Sequence, residues 1–156
     1  MLWPPDSPWS PWWRTTPKLA RLECKLAKVK KADVIYDLGS GEGTALIIAA
    51  KEFGASGVGI EIDPFRVFYS KLAVKLAGVA DKIHIRRENF FNVDISKATV
   101  IFLYLIPKTQ IRLIPKFLKE LKPGTRVVTF VYKMDLPLIA KDEKAELYVY
   151  EIPKKK

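Results

Sequence analysis

The segment Val34-Ile35-Tyr36-Asp37-Leu38-Gly39-Ser40-Gly41-Glu42-Gly43-Thr44 constrains the fold more than any other part of this chain. An apolar run ends in an acid, passes through glycines at alternate positions, and continues into the helical run Ala45-Leu46-Ile47-Ile48-Ala49-Ala50. Strand, tight turn and helix in that order open a parallel α/β sheet. Glycine accepts the sharp turn and lets a ligand approach where a Cβ would clash. Asp37 then lies at the carboxyl end of the first strand, where open α/β sheets bind ligands. The spacing narrows the ligand. A dinucleotide turn, Gly-x-Gly-x-x-Gly, would put its third glycine at position 44, where this chain has Thr.

The length of 156 residues suits a single domain with a full core, expected over 1–156. No apolar run nears the length of a membrane span, and the N-terminus lacks the basic-then-apolar order of a signal peptide. A cytoplasmic protein without membrane association is therefore expected. The lone Cys24 excludes an internal disulfide and a multi-cysteine zinc site, and reads as a helix-packing residue. A net charge of +10 favours acidic partners, including a weak attraction to nucleic acid, or is simply a solvated lysine surface. Plentiful Lys and Glu with few Asn, Gln, Cys and Met match a thermophile's composition.

Residues 1–14 hold all four tryptophans (Trp3, Trp9, Trp12, Trp13) among Pro4, Pro5, Pro8 and Pro11, which predicts an extended arm. Thr16 and Pro17 then start a helix over 17–29 whose apolar face is Leu19, Leu22, Leu26 and Val29. Beyond it the pattern alternates. Strands are expected near 33–38, 57–62, 82–87, 98–105 and 125–131, and helices near 43–53, 64–77 and 108–121. Leu147–Ile152 alternates apolar with charged or aromatic residues and reads as a last edge strand. The fold class is α/β, a Rossmann-like, doubly wound and mostly parallel sheet preceded by the Trp/Pro arm and a helix.

Asp37 with Gly-x-Gly-x-Gly resembles motif I of S-adenosylmethionine (SAM) methyltransferases, with Gly39, Ser40, Gly41 and Gly43 as the cofactor turn. Glu61 follows Gly43 by 18 residues, near the separation of a ribose-binding acid from its glycine turn, and Ile62 lies beside it. The third strand ends at Glu88-Asn89-Phe90, where Asn89 can meet the adenine amino edge and Phe90 can flank the ring. Asp63-Pro64 reads as the cap of the next helix. In this architecture the fourth tip, Tyr104-Leu105-Ile106-Pro107, is nearest the transferred methyl. The ring and hydroxyl of Tyr104 can stand beside a sulfonium or an incoming amine. The Asn/Asp-Pro-Pro-Tyr/Phe element of DNA amino-methylating enzymes is absent there, and Cys24 precedes the core strands, where no cytosine-C5 nucleophile belongs. His84 lies inside a strand and reads as structural. No Ser-His-Asp set or metal cluster is evident, and methyl transfer needs neither.

Three segments carry a closer resemblance: Pro11–Lys18, Tyr36–Thr44 and Gly59–Tyr69. They are similar to the small archaeal protein lysine methyltransferases, relatives of the mitochondrial ATP synthase c-subunit lysine methyltransferases among the seven-strand-type SAM enzymes. The resemblance implies methyl transfer from SAM to lysine ε-amines of many proteins, chromatin proteins among them, with cofactor contacts at Asp37, Gly39, Gly41, Glu61 and Asn89. Under that reading the Trp arm is a lid, with Trp12, Trp13 and Thr15 nearest the pocket. A strap over the sheet, or a partner-binding surface, is the alternative for the arm. No membrane anchor is expected, the Tyr-Leu-Ile-Pro tip departs from the mitochondrial pattern, and a monomer is expected. An RNA or small-molecule methyltransferase with the same cofactor site is the first alternative. A basic chromatin-associated binder with a vestigial fold is the second.

Overall fold

The computed structural model describes residues 15–155, so the expected arm over 1–14 lies outside the described residues. The first element, α1 (Pro17–Leu26), has Thr16 as its N-cap, whose hydroxyl accepts from Leu19 N at 3.1 Å, with Pro17 in the first turn. It ends three residues earlier than the apolar spacing predicts. Lys28 takes a left-handed φ of 56°, Lys28 N donates to Lys25 O and Val29 N to Cys24 O. That is a Schellman stop, which satisfies the last carbonyls and buries Val29 beyond the helix. The buried stripe is also rotated from the expected one. Ala20, Glu23, Cys24 and Ala27 are fully covered, while Leu19, Leu22 and Leu26 pack at its margin. Small residues at the centre suit close packing against the alanine-rich α2 (Thr44–Phe53).

The strands are β1 (Val34–Leu38), β2 (Ser56–Glu61), β3 (Ile83–Arg87), β4 (Val100–Leu103), β5 (Arg126–Phe130), β6 (Leu138–Asp142) and β7 (Leu147–Glu151). They form one sheet in the order β3-β2-β1-β4-β5-β7-β6. The first five are parallel, and β7 runs antiparallel to both β5 and β6. The remaining helices are α3 (Pro64–Leu76) and α4 (Pro107–Glu120). Residues Ile35, Phe102 and Val128 face a core shared with α1, α2 and α3. Leu38, Ile101, Leu103 and Val127 face the opposite core, which holds Leu113 and Phe117 of α4. Helices therefore cover both faces, and the central strands are apolar throughout as a doubly wound sheet requires. Among the described residues, no helix is long and apolar enough to cross a membrane.

One expectation is corrected here. The strand β6, over a span where the sequence pattern marks no element, is the true edge. Its side chains are mostly exposed, so no buried apolar run marks it. The 147–152 segment is consequently not an edge strand. Leu147 and Val149 enter one core and Tyr148 and Tyr150 the other. The tyrosines read as polar in an alternating pattern, yet Tyr150 is buried and its hydroxyl accepts from Met134 N.

At the amino end of the sheet, Arg126 ties three elements together. It donates to Asp33 Oδ1, where Thr99 Oγ1 also donates, and to the carbonyls of Ala27 and Lys28 that follow α1. On β2, a Cβ at Gly57 would stand 2.6 Å from Ile35 O and 2.9 Å from Leu46 Cδ2, so β1 and α2 close on bare backbone. Gly57→Ala is expected to destabilise by about 1–3 kcal/mol, as overpacking against a rigid carbonyl does. Urea unfolding of the variant checks this.

Candidate active site

The strand order reverses between β1 and β4, and the crevice at such a switch point is where open α/β sheets take ligands. Asp37 pairs in register with Phe102, so the tips of β1 and β4 end side by side. Side chains alternate along a strand. Asp37, two residues after Ile35, and Phe130, two after Val128, thus lie on the α1 side of the sheet. Tyr104 follows Phe102 on that same side, and its ring centroid is 5.3 Å from that of Phe130.

The glycine turn is held by the neighbouring strand. Gly39, Gly41 and Gly43 have φ of 85°, 57° and 81°, values that a side chain at Cβ disfavours. Gly39 N and Ser40 N both donate to Ile60 O, at 2.8 and 3.1 Å. Glu61 Oε1 accepts from Gly41 N at 3.0 Å, while Oε2 accepts from Ile62 N and Asp63 N, each at 3.0 Å. Arg66 Nη1 lies 4.0 Å from Oε1. A Cβ at Gly41 would meet nothing within 4 Å, so this part of the turn faces open space. At Gly43 it would meet Ser70 Cβ at 3.3 Å, which records how closely the start of α2 approaches α3.

Asp63 caps α3 as expected, accepting from Phe65 N and Arg66 N. Ile62 is 51% exposed beside Glu61. Asn89 Oδ1 accepts from Phe91 N at 2.9 Å, an Asx turn that shapes the loop after β3. Phe90 is half-buried against Phe91, with centroids 5.0 Å apart. Thr15 is half-buried ahead of the cap of α1, and Trp12 and Trp13 lie outside the described residues. His84 is in the middle of β3 with its side chain exposed. Cys24 is buried, and burial with Glu23 and Glu52 nearby pushes its thiol up to about 12, so it packs rather than reacts.

The sequence signals miss a set of buried polar atoms without hydrogen-bond partners among the described residues. They include both carboxyl oxygens of Glu23, Ser40 Oγ and Tyr104 Oη, with Thr129 Oγ1 and the Gln110 amide on the α4 side. Buried polar groups are nearly always paired, and each orphan costs about 1–3 kcal/mol. Glu23 is concealed in the sequence because it occupies an ordinary helical position between Leu22 and Cys24. Only the rotated stripe of α1 brings it inside. Asp37 is also buried, and burial, with the Glu61 charge nearby, pushes its carboxyl up to about 7. Burial, with Asp37 nearby, holds Glu23 well above the usual carboxylate range.

The ordinary value for Asp37 is 3.8, so between about pH 4 and pH 7 the folded protein keeps a proton that the unfolded chain releases. The resulting stabilisation is whole below the ordinary value and is lost as pH rises toward 7, at on the order of 1 kcal/mol per pH unit. Asp37→Asn should remove that fall, matching the wild type near pH 4 and exceeding it in stability at pH 8. Thermal unfolding across the range checks this. Tyr104→Phe should leave stability unchanged or raise it by about 1 kcal/mol, because the hydroxyl it removes is unpaired. Its turnover should fall with cofactor affinity retained, which single-turnover kinetics and binding isotherms read separately.

Comparison with known proteins agrees with this geometry. A family model described as the ANTKMT methyltransferase domain matches residues 37–137. A protein-lysine N-methyltransferase of Saccharolobus islandicus is 40% identical over 135 residues, 86% of this chain and 82% of that protein. An ATP synthase c-subunit lysine N-methyltransferase of Xenopus laevis is 30% identical over 63% of this chain, which spans only 43% of that longer relative. Among solved structures, an RNA methyltransferase from Salinibacter ruber in complex with S-adenosyl-L-homocysteine superposes with a TM-score of 0.86. It is 40% identical and covers 92% of this chain and 96% of its own.

Proposed function

Because the chain belongs to the ANTKMT methyltransferase domain family, we propose that it is a SAM-dependent methyltransferase that acts on lysine ε-amines of proteins. The observation that carries this reading is the 40% identity to a protein-lysine N-methyltransferase across most of both chains, over a switch-point crevice with the right donors and acceptors.

The residues fit the cofactor. The backbone at Gly41 is open to a ligand, and Ser40 Oγ lies buried beside it with no partner. Glu61 has three of its roughly four acceptor directions filled by backbone N–H groups, leaving capacity for a ribose hydroxyl. Gly39, Ser40, Gly41 and Gly43 would line the turn, Ile62 and Phe90 would flank the adenine, and Asn89 would meet its edge. SAM supplies a methyl already activated by its sulfonium. The chain's own task is to align an amine with that methyl, strip water from it and favour its neutral form. Tyr104 at the β4 tip, with Phe130 against it, supplies an apolar wall and one buried hydroxyl for that purpose.

The substrate reading is broad: exposed lysines on several proteins, chromatin proteins among them, approached by a monomer. The net charge of +10 favours acidic partners and adds a weak attraction to nucleic acid. Thr15 is proposed to face the substrate side.

A second reading, an RNA methyltransferase, is favoured by the Salinibacter structure and by the same charge. Transfer of label from tritiated SAM to a panel of basic and acidic proteins and to RNA separates the two. Acid-stable methyl-lysine is the expected product, and Asp37→Ala should abolish it while leaving RNA affinity within about twofold. Label confined to RNA would replace the protein-lysine reading.

A further inference from the structure

Glu23 is fully buried on α1, both of its carboxyl oxygens lack a partner among the described residues, and it lies within electrostatic reach of Asp37. No described cation reaches either oxygen within hydrogen-bonding distance. A carboxyl group kept in this way on an otherwise apolar helix face costs stability that Leu or Met would not. It is not a flexible surface acid turned inward by chance. Arg126 anchors the end of α1 to the base of the sheet, and Thr16 caps its start. The end of α1 is thus fixed to the sheet, with Glu23 on its buried face and within electrostatic reach of Asp37.

The missing partner must be a donor, because a carboxyl group beside a second carboxyl repels anions and selects cations. Both reactants of the proposed reaction bring a primary ammonium: the α-ammonium of the cofactor's methionine end, and the ε-ammonium of the target lysine. We propose that Glu23 and Asp37 together form a seat for a primary ammonium group, with Glu23 donated by α1 as a binding residue that the glycine-turn motif does not include. This rests on the methyltransferase reading. The seat joins α1 to the crevice, so ligand binding would pull the helix and the β1 tip together.

The test uses Glu23→Gln, which keeps shape and removes the charge, with Glu23→Leu as a second variant that fills the site with apolar atoms. Calorimetry measures S-adenosylhomocysteine, which carries the α-ammonium, and 5′-methylthioadenosine, which has no amino-acid end. Steady-state kinetics on a lysine substrate run in parallel. A tenfold or greater loss of S-adenosylhomocysteine affinity in both variants, with methylthioadenosine unaffected, supports the seat and assigns it to the cofactor. Unchanged cofactor affinity with a tenfold rise in KM for the protein substrate supports the seat and assigns it to the target lysine. Variants that fold, bind both ligands and turn over like the wild type overturn the inference while leaving the methyltransferase reading intact. A wild-type protein that binds no S-adenosylhomocysteine overturns both.

Discussion

The carboxylate of Glu61 accepts from Gly41 on one side and from Ile62 and Asp63 on the other, and this sharing couples the turn after β1 to the entry of α3. The turn is also held by Ile60 O, which accepts from Gly39 N and Ser40 N, and by Ser40 O, which accepts from Gly43 N. Its glycines sit at left-handed φ values that many conformers could share, and the space where Gly41 would carry a Cβ is open. The tip of β2 therefore sets the shape of the turn, through Ile60 O and the Glu61 side chain. That is possible because β1 and β2 are parallel and adjacent, so their carboxyl ends arrive together. A cofactor cradle built this way is assembled by strand pairing rather than by the loop's own preferences.

The buried acids of this fold are treated in two ways. At the amino end, buried Asp33 receives hydrogen bonds from Thr99 and Arg126, and Arg126 also satisfies carbonyls after α1. That end is a closed electrostatic network, and its role is to hold elements in place. On the inner face of α1, Glu23 is buried with no partner among the described residues, and burial raises the carboxyls of both Glu23 and Asp37. Asp33 and Glu61 are compensated by donors at similar depth, whereas Glu23 has none among the described residues. Local destabilisation of this kind is expected where a protein keeps groups ready for a ligand.

The relatives divide along the same line. The Saccharolobus and Salinibacter proteins are each 40% identical to this chain, yet one is named for protein lysine and the other for RNA. What they share is the frame that positions a methyl donor. Methyl transfer asks a protein for alignment and desolvation more than for acid–base groups, so a common frame is compatible with different acceptors. At the β4 and β5 tips, beside the switch-point crevice, the rings of Tyr104 and Phe130 pack together.

The sequence by itself determined the strand–turn–helix opening, the five parallel strands, the caps at Thr16 and Asp63 and the acid at each of the first two strand tips. Each of these is a local matter: glycine tolerance of positive φ, Asx and hydroxyl capping, and the apolar runs of strands covered on both faces. Tertiary structure alone decided the rest. The exposed β6 carries no buried apolar run, so its pairing with β7, and β7's burial, depend on contacts that no local pattern encodes. The stop of α1 at Leu26 rests on a left-handed Lys28 that propensity does not foretell. The rotation of its buried stripe follows from packing against α2, and that rotation brings Glu23 inside, within electrostatic reach of Asp37. No local pattern can report a charge whose meaning comes from a strand tip fourteen residues away.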